Sequence, residues 1–262
     1  MRVSLDQILE TTRDGLPALA ARADSVSREA GAAPPPPPLA PALRRESVAV
    51  IAEVKRRSPS AGVIREDLDP AVRAAVYAER GAAAISVLTD GPFFGGSMSD
   101  LRSAAAKVAV PVLRKDFILD ELQIVEARAA GAAAVLLIVR ALPRRRLETL
   151  LGATTRQGLD ALVEVHTEAE LDVALEAGAR IVGVNSRDLD TFRIDTDTAW
   201  RLLGRVPAGL VAVAESGMAD PSDVLRARDS GADAVLIGTA LSAAADPGAL
   251  LARLAEVPRH GR

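Results

Sequence analysis

The chain has 262 residues, of which 49% are hydrophobic, and its 32 basic and 35 acidic side chains leave a net charge of −3. It contains no cysteine and two histidines, which excludes disulfides and thiolate metal sites and leaves too few ligands for an ordinary zinc centre. The scarcity of aromatic residues and the lack of a basic stripe argue against a nucleic-acid-binding protein. No apolar run approaches the roughly 20 residues that a membrane-spanning helix needs.

Residues 1–44 are predicted to form a helical extension with a proline-rich linker. Apolar residues at helical spacing, from Val3 to Leu19, predict one or two amphipathic helices in the first 30 residues. The segment from Gly31 to Pro41 contains five consecutive prolines and predicts a stiff polyproline II linker. The N-terminus has no apolar stretch typical of a secretory signal, so we expect a cytoplasmic protein.

Residues 45–262 alternate short apolar runs with longer stretches of helical periodicity. The runs lie near residues 48–53, 83–88, 110–114, 133–139, 161–165, 180–184, 210–214 and 233–237. Each is almost continuously apolar, which is typical of parallel strands buried on both faces. Glycines 81, 131, 178 and 231 precede every second run, and this period of two units favours a closed sheet. Eight strands with helices between them predict an α/β fold, a (β/α)8 or TIM barrel.

Charged residues follow the odd-numbered predicted strands. Glu53 and Lys55 end the first strand, Lys115 the third, Glu164 the fifth and Glu215 the seventh. In such barrels the active site lies at the carboxyl ends of the strands, so we expect these side chains to meet in one cavity. Two lysines and three glutamates there would supply acid–base chemistry. The alternative is a ring of ion pairs that only closes the barrel.

A phosphate site is predicted after the seventh and eighth strands. Ser-Gly and Gly-Thr pairs at these strand ends would offer backbone N–H groups to an anion. A hydroxyl and a guanidinium from two other strand ends would add hydrogen bonds to it. The residues are Ser58, Arg187, Ser216, Gly217, Gly238 and Thr239.

Two further loops carry residues of interest. His166 follows the fifth strand beside Thr167 and Glu170, which have capping-box spacing, and we interpret it as a loop residue. Phe93 and Phe94 lie in a glycine-rich loop after the second strand, where we expect an aromatic wall or lid over the site.

Ordered segments at the strand ends resemble the indole-3-glycerol phosphate synthase family. They read IAEVKRRSPS from Ile51, LRKDFI from Leu113, VEV from Val163, GVNSRDL from Gly183 and AESG from Ala214. The resemblance covers about residues 45–257, and a helical N-terminal extension is also typical of the family. The ordered combination is specific, whereas AESG alone would be weak.

The resemblance implies a carboxy-lyase of tryptophan biosynthesis that uses no cofactor and no metal. The substrate would be 1-(2-carboxyphenylamino)-1-deoxyribulose 5-phosphate, which is converted to indole-3-glycerol phosphate by ring closure, loss of CO₂ and dehydration. The implied catalytic residues are Lys115 as acid at the ribulose C2 carbonyl, Lys55 on the substrate carboxylate, Glu53 as its partner, Glu164 as acid or base in dehydration, and Asn185 and Glu215 as hydrogen-bond partners. The implied substrate-binding residues are Ser58, Phe94, Phe117, Arg187, Leu189 and Ser216. The implied phosphate-binding residues are Ser58, Arg187, Gly217, Gly238 and Thr239.

Two alternatives stay open at this point. One is a related phosphate-binding barrel enzyme similar to phosphoribosylanthranilate isomerase, although its rearrangement asks for one acid and one base rather than two lysines. The other is a non-catalytic barrel that binds a phosphorylated metabolite. In every case we expect a small phosphorylated ligand, no nucleic acid and no membrane as partners. Association with other tryptophan-pathway enzymes stays open as well.

Overall fold

Eight short apolar segments pair in parallel and close on themselves in the computed structural model, which describes residues 3–59, 62–188 and 191–260. The barrel strands are β1 Ala49–Val54, β2 Ala84–Leu88, β3 Val112–Lys115, β4 Ala134–Ile138, β5 Asp160–Val165, β6 Ile181–Asn185, β7 Val211–Glu215 and β8 Ala234–Ile237, and Arg57–Ser58 and Gly62–Val63 form a separate two-stranded sheet. Each strand pairs with its neighbours in chain order, and β8 returns to β1 with Ala234 beside Ala49. The predicted (β/α)8 barrel is confirmed.

Both faces of the strands are buried, as their continuous apolar runs predicted. In β1, Val50 and Ala52 join the apolar cluster shared with the surrounding helices, while Ala49 and Ile51 join the cluster inside the barrel. Because side chains alternate along a strand, the residue two positions after an interior residue also faces the interior. Glu53, Lys115, Glu164 and Glu215 lie two positions after the buried apolar residues Ile51, Leu113, Leu162 and Val213, respectively. The charges therefore lie directly above an apolar layer.

Helices follow the strands and also precede them. They are α1 Leu5–Ala20, α2 Ala23–Ala32, α3 Leu39–Ala42, α4 Pro70–Glu79, α5 Met98–Lys107, α6 Glu121–Ala129, α7 Arg144–Arg156, α8 Glu168–Glu176, α9 Thr196–Leu203, α10 Pro221–Asp229, α11 Thr239–Ala243 and α12 Pro247–Ala255. Many begin with a Ser, Thr or Asp side chain that accepts a first-turn N–H, as Asp69 does for α4. Among the described residues, no helix has the length and apolarity that crossing a bilayer requires.

The N-terminal extension contacts the barrel at several levels. Leu5 and Ile8 of α1 belong to the same apolar cluster as Phe117 near the carboxyl end of the strands. Helix α2 packs against α6. Leu39 and Leu43, which begin and follow α3, are fully buried against the interior cluster. The division into an extension of residues 1–44 and a barrel of residues 45–262 stays a prediction.

The predicted polyproline linker, Gly31 to Pro41, is too long at both ends, because Gly31 lies in α2 and Pro41 lies in α3. Pro41 occupies the first turn of its helix, where an N–H has no partner within the helix and proline is tolerated. Residues 33–38 are non-helical, and Ala33 has polyproline II dihedral angles of −68° and 140°. Arg128 donates hydrogen bonds of 2.7 and 2.8 Å to the carbonyl oxygens of Ala33 and Pro34. The proline segment is therefore held against the barrel by α6.

Candidate active site

The carboxyl ends of the strands surround a cavity of about 440 Å³. This volume is typical of a small-molecule site. The predicted residues that line it are Glu53, Lys55, Ser58, Phe94, Lys115, Phe117, Glu164, Asn185, Arg187, Glu215, Ser216, Gly217, Gly238 and Thr239. Leu189, which the resemblance also implied, lies outside the described residues. The fold thus brings the predicted residues together, while their roles stay predictions.

Lys115 lies at the centre of the charged residues. Its Nζ is 3.3 Å from Glu164 Oε2 and 3.6 Å from Glu215 Oε2. Burial alone would lower the pKa of Lys115, but three surrounding carboxylates outweigh it and raise that pKa above the ordinary lysine value. Lys115 is therefore a fixed ammonium group that can donate a hydrogen bond or a proton, and it is unsuited to act as a base.

The two carboxylates beside Lys115 have pKa values that move in opposite directions. Burial favours the protonated form of Glu164, but Lys115 and then His166 outweigh it and lower its pKa. Burial and the charge of Glu164 raise the pKa of Glu215 well above its ordinary value, against the attraction of Lys115. Environments that push two pKa values apart assign different roles to identical groups. Glu164 is the carboxylate fit to accept a proton, and Glu215 is the one that holds a proton.

Glu53 and Lys55 form a second ion pair at the end of β1. Their side chains are two positions apart and therefore share one face of the chain. Glu53 Oε1 lies 2.7 Å from Lys55 Nζ. Burial raises the pKa of Glu53, but Lys55 and Lys115 outweigh it and the net shift is downward. In the described residues no group of three or more His, Cys, Asp or Glu side chains is arranged to hold a metal ion.

Two glycines of even-numbered strands make room for these carboxylates. A β-carbon at Gly183 of β6 would overlap Glu215 Oε1, and one at Gly238 after β8 would overlap Glu53 Oε1. Glycine inside a strand often marks such a close approach. Gly238 was predicted from the sequence to bind phosphate, and Gly183 was given no role. The signal that could have identified Gly183 is a glycine inside the apolar run of β6.

The predicted anion site has an unusual backbone. Ser216 and Gly217 are consecutive residues with φ of 67° and 77°. A β-carbon at Gly217 would lie 2.9 Å from Thr196 Cγ2, so the turn needs glycine on both counts. Nearby, Arg187 donates a 3.1 Å hydrogen bond to the carbonyl oxygen of Phe192, and burial lowers the pKa of its guanidinium. These groups line one side of the cavity beside the start of α11.

The opposite side contains the predicted aromatic wall. Phe94 lines the cavity with Phe117, and their ring centroids are 6.2 Å apart. Asp90 holds this loop by accepting N–H bonds of 2.7 Å from Phe93 and 3.0 Å from Phe94. Asp90 also lines the cavity, where burial raises its pKa. Sequence reasoning did not single it out, because an acidic residue before Gly-Pro is usually only part of a turn.

His166 lies in the loop after β5, as predicted, but its side chain is only 6% exposed. The expected capping box is only half correct. Thr167 Oγ1 accepts the N–H of Glu170 at 3.2 Å, but the Glu170 carboxylate accepts the N–H of His166 at 2.7 Å instead of that of Thr167. The imidazole ring, 3.2 Å from the same oxygen, explains this choice, because it gives the carboxylate a second polar partner.

Comparison with known proteins gives this site its context. The family model for indole-3-glycerol phosphate synthase matches residues 5–254. An indole-3-glycerol phosphate synthase from Mycobacteroides abscessus is 48% identical over 258 residues, which are 98% of this chain and 95% of that protein. The indole-3-glycerol phosphate synthase 2 of Streptomyces coelicolor is 53% identical over 219 residues, 84% and 85% of the two chains. Among solved structures, a 3-hexulose-6-phosphate synthase shares the fold with a TM-score of 0.63 at 16% identity, covering 79% of this chain and 98% of that one. The chain belongs to the indole-3-glycerol phosphate synthase family.

Proposed function

We propose that the cavity converts 1-(2-carboxyphenylamino)-1-deoxyribulose 5-phosphate to indole-3-glycerol phosphate, with release of CO₂ and water. The chain would act as a cytoplasmic carboxy-lyase of tryptophan biosynthesis. Family membership over residues 5–254 supports this function. The observation that carries the mechanism is the placement of Lys115 between Glu164 and Glu215 at the base of the cavity.

Ring closure forms a bond between the ring carbon that bears the carboxylate and the ribulose C2 atom. The C2 oxygen then gains an electron pair and needs a cation or an acid beside it. Lys115 meets this need, because the surrounding carboxylates keep its ammonium group protonated. An apolar layer beneath it limits access of water from below, which strengthens its electrostatic effect.

Decarboxylation follows when the bond between the ring carbon and the carboxylate breaks and the aromatic ring is restored. Lys55 would bind the substrate carboxylate until CO₂ leaves. Its 2.7 Å contact with Glu53 fixes the ammonium group at the cavity wall. Glu53 would orient Lys55 or accept a proton.

Dehydration removes the hydroxyl group formed at C2 together with a proton of the intermediate. Glu164 is available to take that proton because Lys115 and His166 keep its carboxylate ionised despite burial, which is the meaning of its lowered pKa. Glu215, whose pKa is raised by burial and by Glu164, would hydrogen-bond the departing hydroxyl and transfer its proton to it, so that the hydroxyl leaves as water. Asn185, which lines the same cavity, would bind another hydroxyl of the intermediate.

The two ends of the substrate would occupy opposite sides of the cavity. The phosphate would lie against the left-handed turn and Arg187, and the anthranilate ring would pack against Phe94 and Phe117. The proposed phosphate ligands are Ser58, Arg187, Gly217, Gly238 and Thr239. Ser216 would line the path between the two ends.

A fluorescence assay tests the function, because the indole product emits where the substrate does not. The purified chain is expected to turn over the carboxyphenylamino deoxyribulose phosphate and to leave phosphoribosylanthranilate unchanged. Turnover of phosphoribosylanthranilate instead would support an isomerase-like enzyme. Binding of both compounds without turnover by the folded protein would contradict the proposal and favour a non-catalytic barrel.

A further inference from the structure

Glu164 lies between two basic side chains, one on each of its oxygens. Oε2 faces Lys115 in the cavity at 3.3 Å, and Oε1 faces His166 Nε2 at 3.5 Å. The Glu164 side chain is only 1% exposed, so water does not compete for either oxygen. The mechanism above gives Lys115 a direct part in ring closure and mentions His166 only for its effect on the pKa of Glu164.

The imidazole of His166 is fixed from its other edge. Its Nδ1 lies 3.2 Å from Glu170 Oε2, which also accepts the backbone N–H of His166 at 2.7 Å. Glu170 belongs to α8, and the capping bond from its N–H to Thr167 anchors the start of that helix. The ring is therefore held by a regular element, and Nε2 is a buried nitrogen with no hydrogen-bond partner among the described residues, 3.5 Å from Glu164 Oε1.

The charges around His166 come from three elements. Glu164 of β5 and Glu170 of α8 favour the imidazolium form, while Arg140, from the short helical turn Val139–Ala141 after β4, opposes it. Arg140 is itself 3.0 Å from Asp188, which weakens that opposition. Burial lowers the pKa of His166, but the hydrogen bond that the Glu170 carboxylate accepts from the imidazole and the charge of Glu164 outweigh burial and raise it above the ordinary histidine value.

We propose that His166 is a positioning residue that holds the Glu164 carboxylate in place and in its ionised form for proton transfer. This inference rests on the role of Glu164 in the proposed function. Its chemical logic is that Lys115 must turn towards the substrate carbonyl during ring closure, which weakens its contact with Glu164. A second basic partner on the other oxygen keeps the carboxylate fixed and ionised while Lys115 is engaged elsewhere.

Kinetics of three variants test the proposal. His166→Ala removes both the charge and the hydrogen-bond donor, and kcat is expected to fall about ten- to a hundredfold because a displaced catalytic group loses that much. KM is expected to change less than about threefold, because His166 does not bind substrate. His166→Gln keeps an N–H near the position of Nε2 and is expected to recover most of kcat at high pH. His260→Ala, at the other histidine of the chain, whose side chain is 63% exposed, is the control and is expected to match the wild type.

The pH profile separates charge from packing. Glu164 faces Lys115 of β3 and the carboxylates Glu53 of β1 and Glu215 of β7, all of which stay in place in the His166 variants. A neighbouring cation favours the ionised form of Glu164, so losing His166 raises the pKa of Glu164. The acid limb of kcat is therefore expected to move to higher pH in both His166→Ala and His166→Gln. An unchanged acid limb and an unchanged kcat in His166→Ala would overturn the proposal.

Imidazole NMR gives a readout that does not depend on activity. The chain has two histidines, so two titration curves are expected, and His260→Ala assigns them. Glu164→Gln is expected to lower the pKa of His166 and to leave that of His260 unchanged. A His166 titration that does not respond to Glu164→Gln would contradict the inference even if His166→Ala failed to fold. Absence of turnover by the wild type would instead count against the proposed function, with the coupling of the two side chains still measured by NMR.

Discussion

At the amino-terminal end of the barrel, Asp160 and Asp233 accept hydrogen bonds from backbone N–H groups, whereas at the carboxyl end Glu53, Glu164 and Glu215 face lysines in the cavity. Asp160 accepts the N–H groups of Leu39 and Ala40 at 2.7 and 3.0 Å, and Asp233 accepts that of Ala212 at 2.9 Å. These contacts use the acceptor capacity of a carboxylate to join one segment to another. They close the barrel beneath its apolar interior.

The carboxyl end uses the same residue types differently. Glu164 and Glu215 share one ammonium group, and their pKa values diverge as a result. Such an arrangement stabilises the fold poorly, because removing carboxylates and ammonium groups from water costs much of what their attraction returns. We therefore expect substitutions at the carboxyl end to change activity more than stability. Substitutions at the amino end are expected to change stability more than activity.

Apart from substitution of Lys115, the largest loss of kcat is expected from Glu215→Gln. Glutamine is similar in shape to the protonated acid but cannot release a proton, so kcat is expected to fall about a hundredfold. Because burial and Glu164 raise the pKa of Glu215, the wild type keeps the acid form until the pH rises through that raised value. The wild type is therefore expected to lose kcat on this basic limb, and the variant to show no such loss. A basic limb that persists unchanged in Glu215→Gln would show that another group is the acid.

A smaller loss of activity is expected from Gly183→Ala. The added methyl group would overlap Glu215 Oε1 and push the carboxylate away from Lys115. We expect kcat to fall about tenfold and the free energy of unfolding to drop by less than about 1 kcal/mol, because the overlapped oxygen is the end of a flexible side chain that can turn away. Gly209→Ala is the control, since a β-carbon there meets nothing within 4 Å. Equal kcat for the two variants would show that the carboxylate has room to move without cost.

At the amino end of the barrel we expect a loss of stability without a loss of activity. Leu39→Ala leaves a cavity beneath the barrel and is expected to lower the free energy of unfolding by about 2–4 kcal/mol. Its kcat and KM at a temperature well below the unfolding midpoint are expected to equal those of the wild type. Chemical denaturation measures the first quantity and the fluorescence assay the second. Leu225→Ala, at a 37% exposed leucine, is the control and is expected to change neither.

A change in kcat without a change in stability for Leu39→Ala would contradict the division between the two ends.

The barrel was predictable because its strands are buried on both faces and therefore appear as continuous apolar runs. The charged strand ends were predictable for the same reason, since Glu164 interrupts an otherwise apolar segment. The end of the linker was not predictable, because five prolines dominate the local pattern. The four-residue helix α3 that follows them depends on a hydrogen bond from Ala40 N–H to Asp160, which lies 120 residues away in the chain. Long-range partners of this kind leave no local periodicity.

The same limit applies within the site. The capping-box spacing of Thr167 and Glu170 was correct for one hydrogen bond, but the second bond was decided by a neighbouring imidazole. The role of Gly183 depends on a carboxylate from the adjacent strand, which becomes visible only when β6 and β7 are paired. In both cases the residue type was informative, and its partner was set by the tertiary structure.

The most direct test of the account is the turnover of Lys115→Met compared with Lys107→Met. The chain has three lysines, two of which line the cavity, and Lys107 is exposed at the end of α5. Methionine keeps the length of the side chain and removes its charge, so Lys115→Met is expected to fold and to lose about three or more orders of magnitude in kcat. Lys107→Met is expected to retain wild-type kcat and KM. Turnover by Lys115→Met within about tenfold of the wild type would contradict the central claim that this ammonium group drives ring closure.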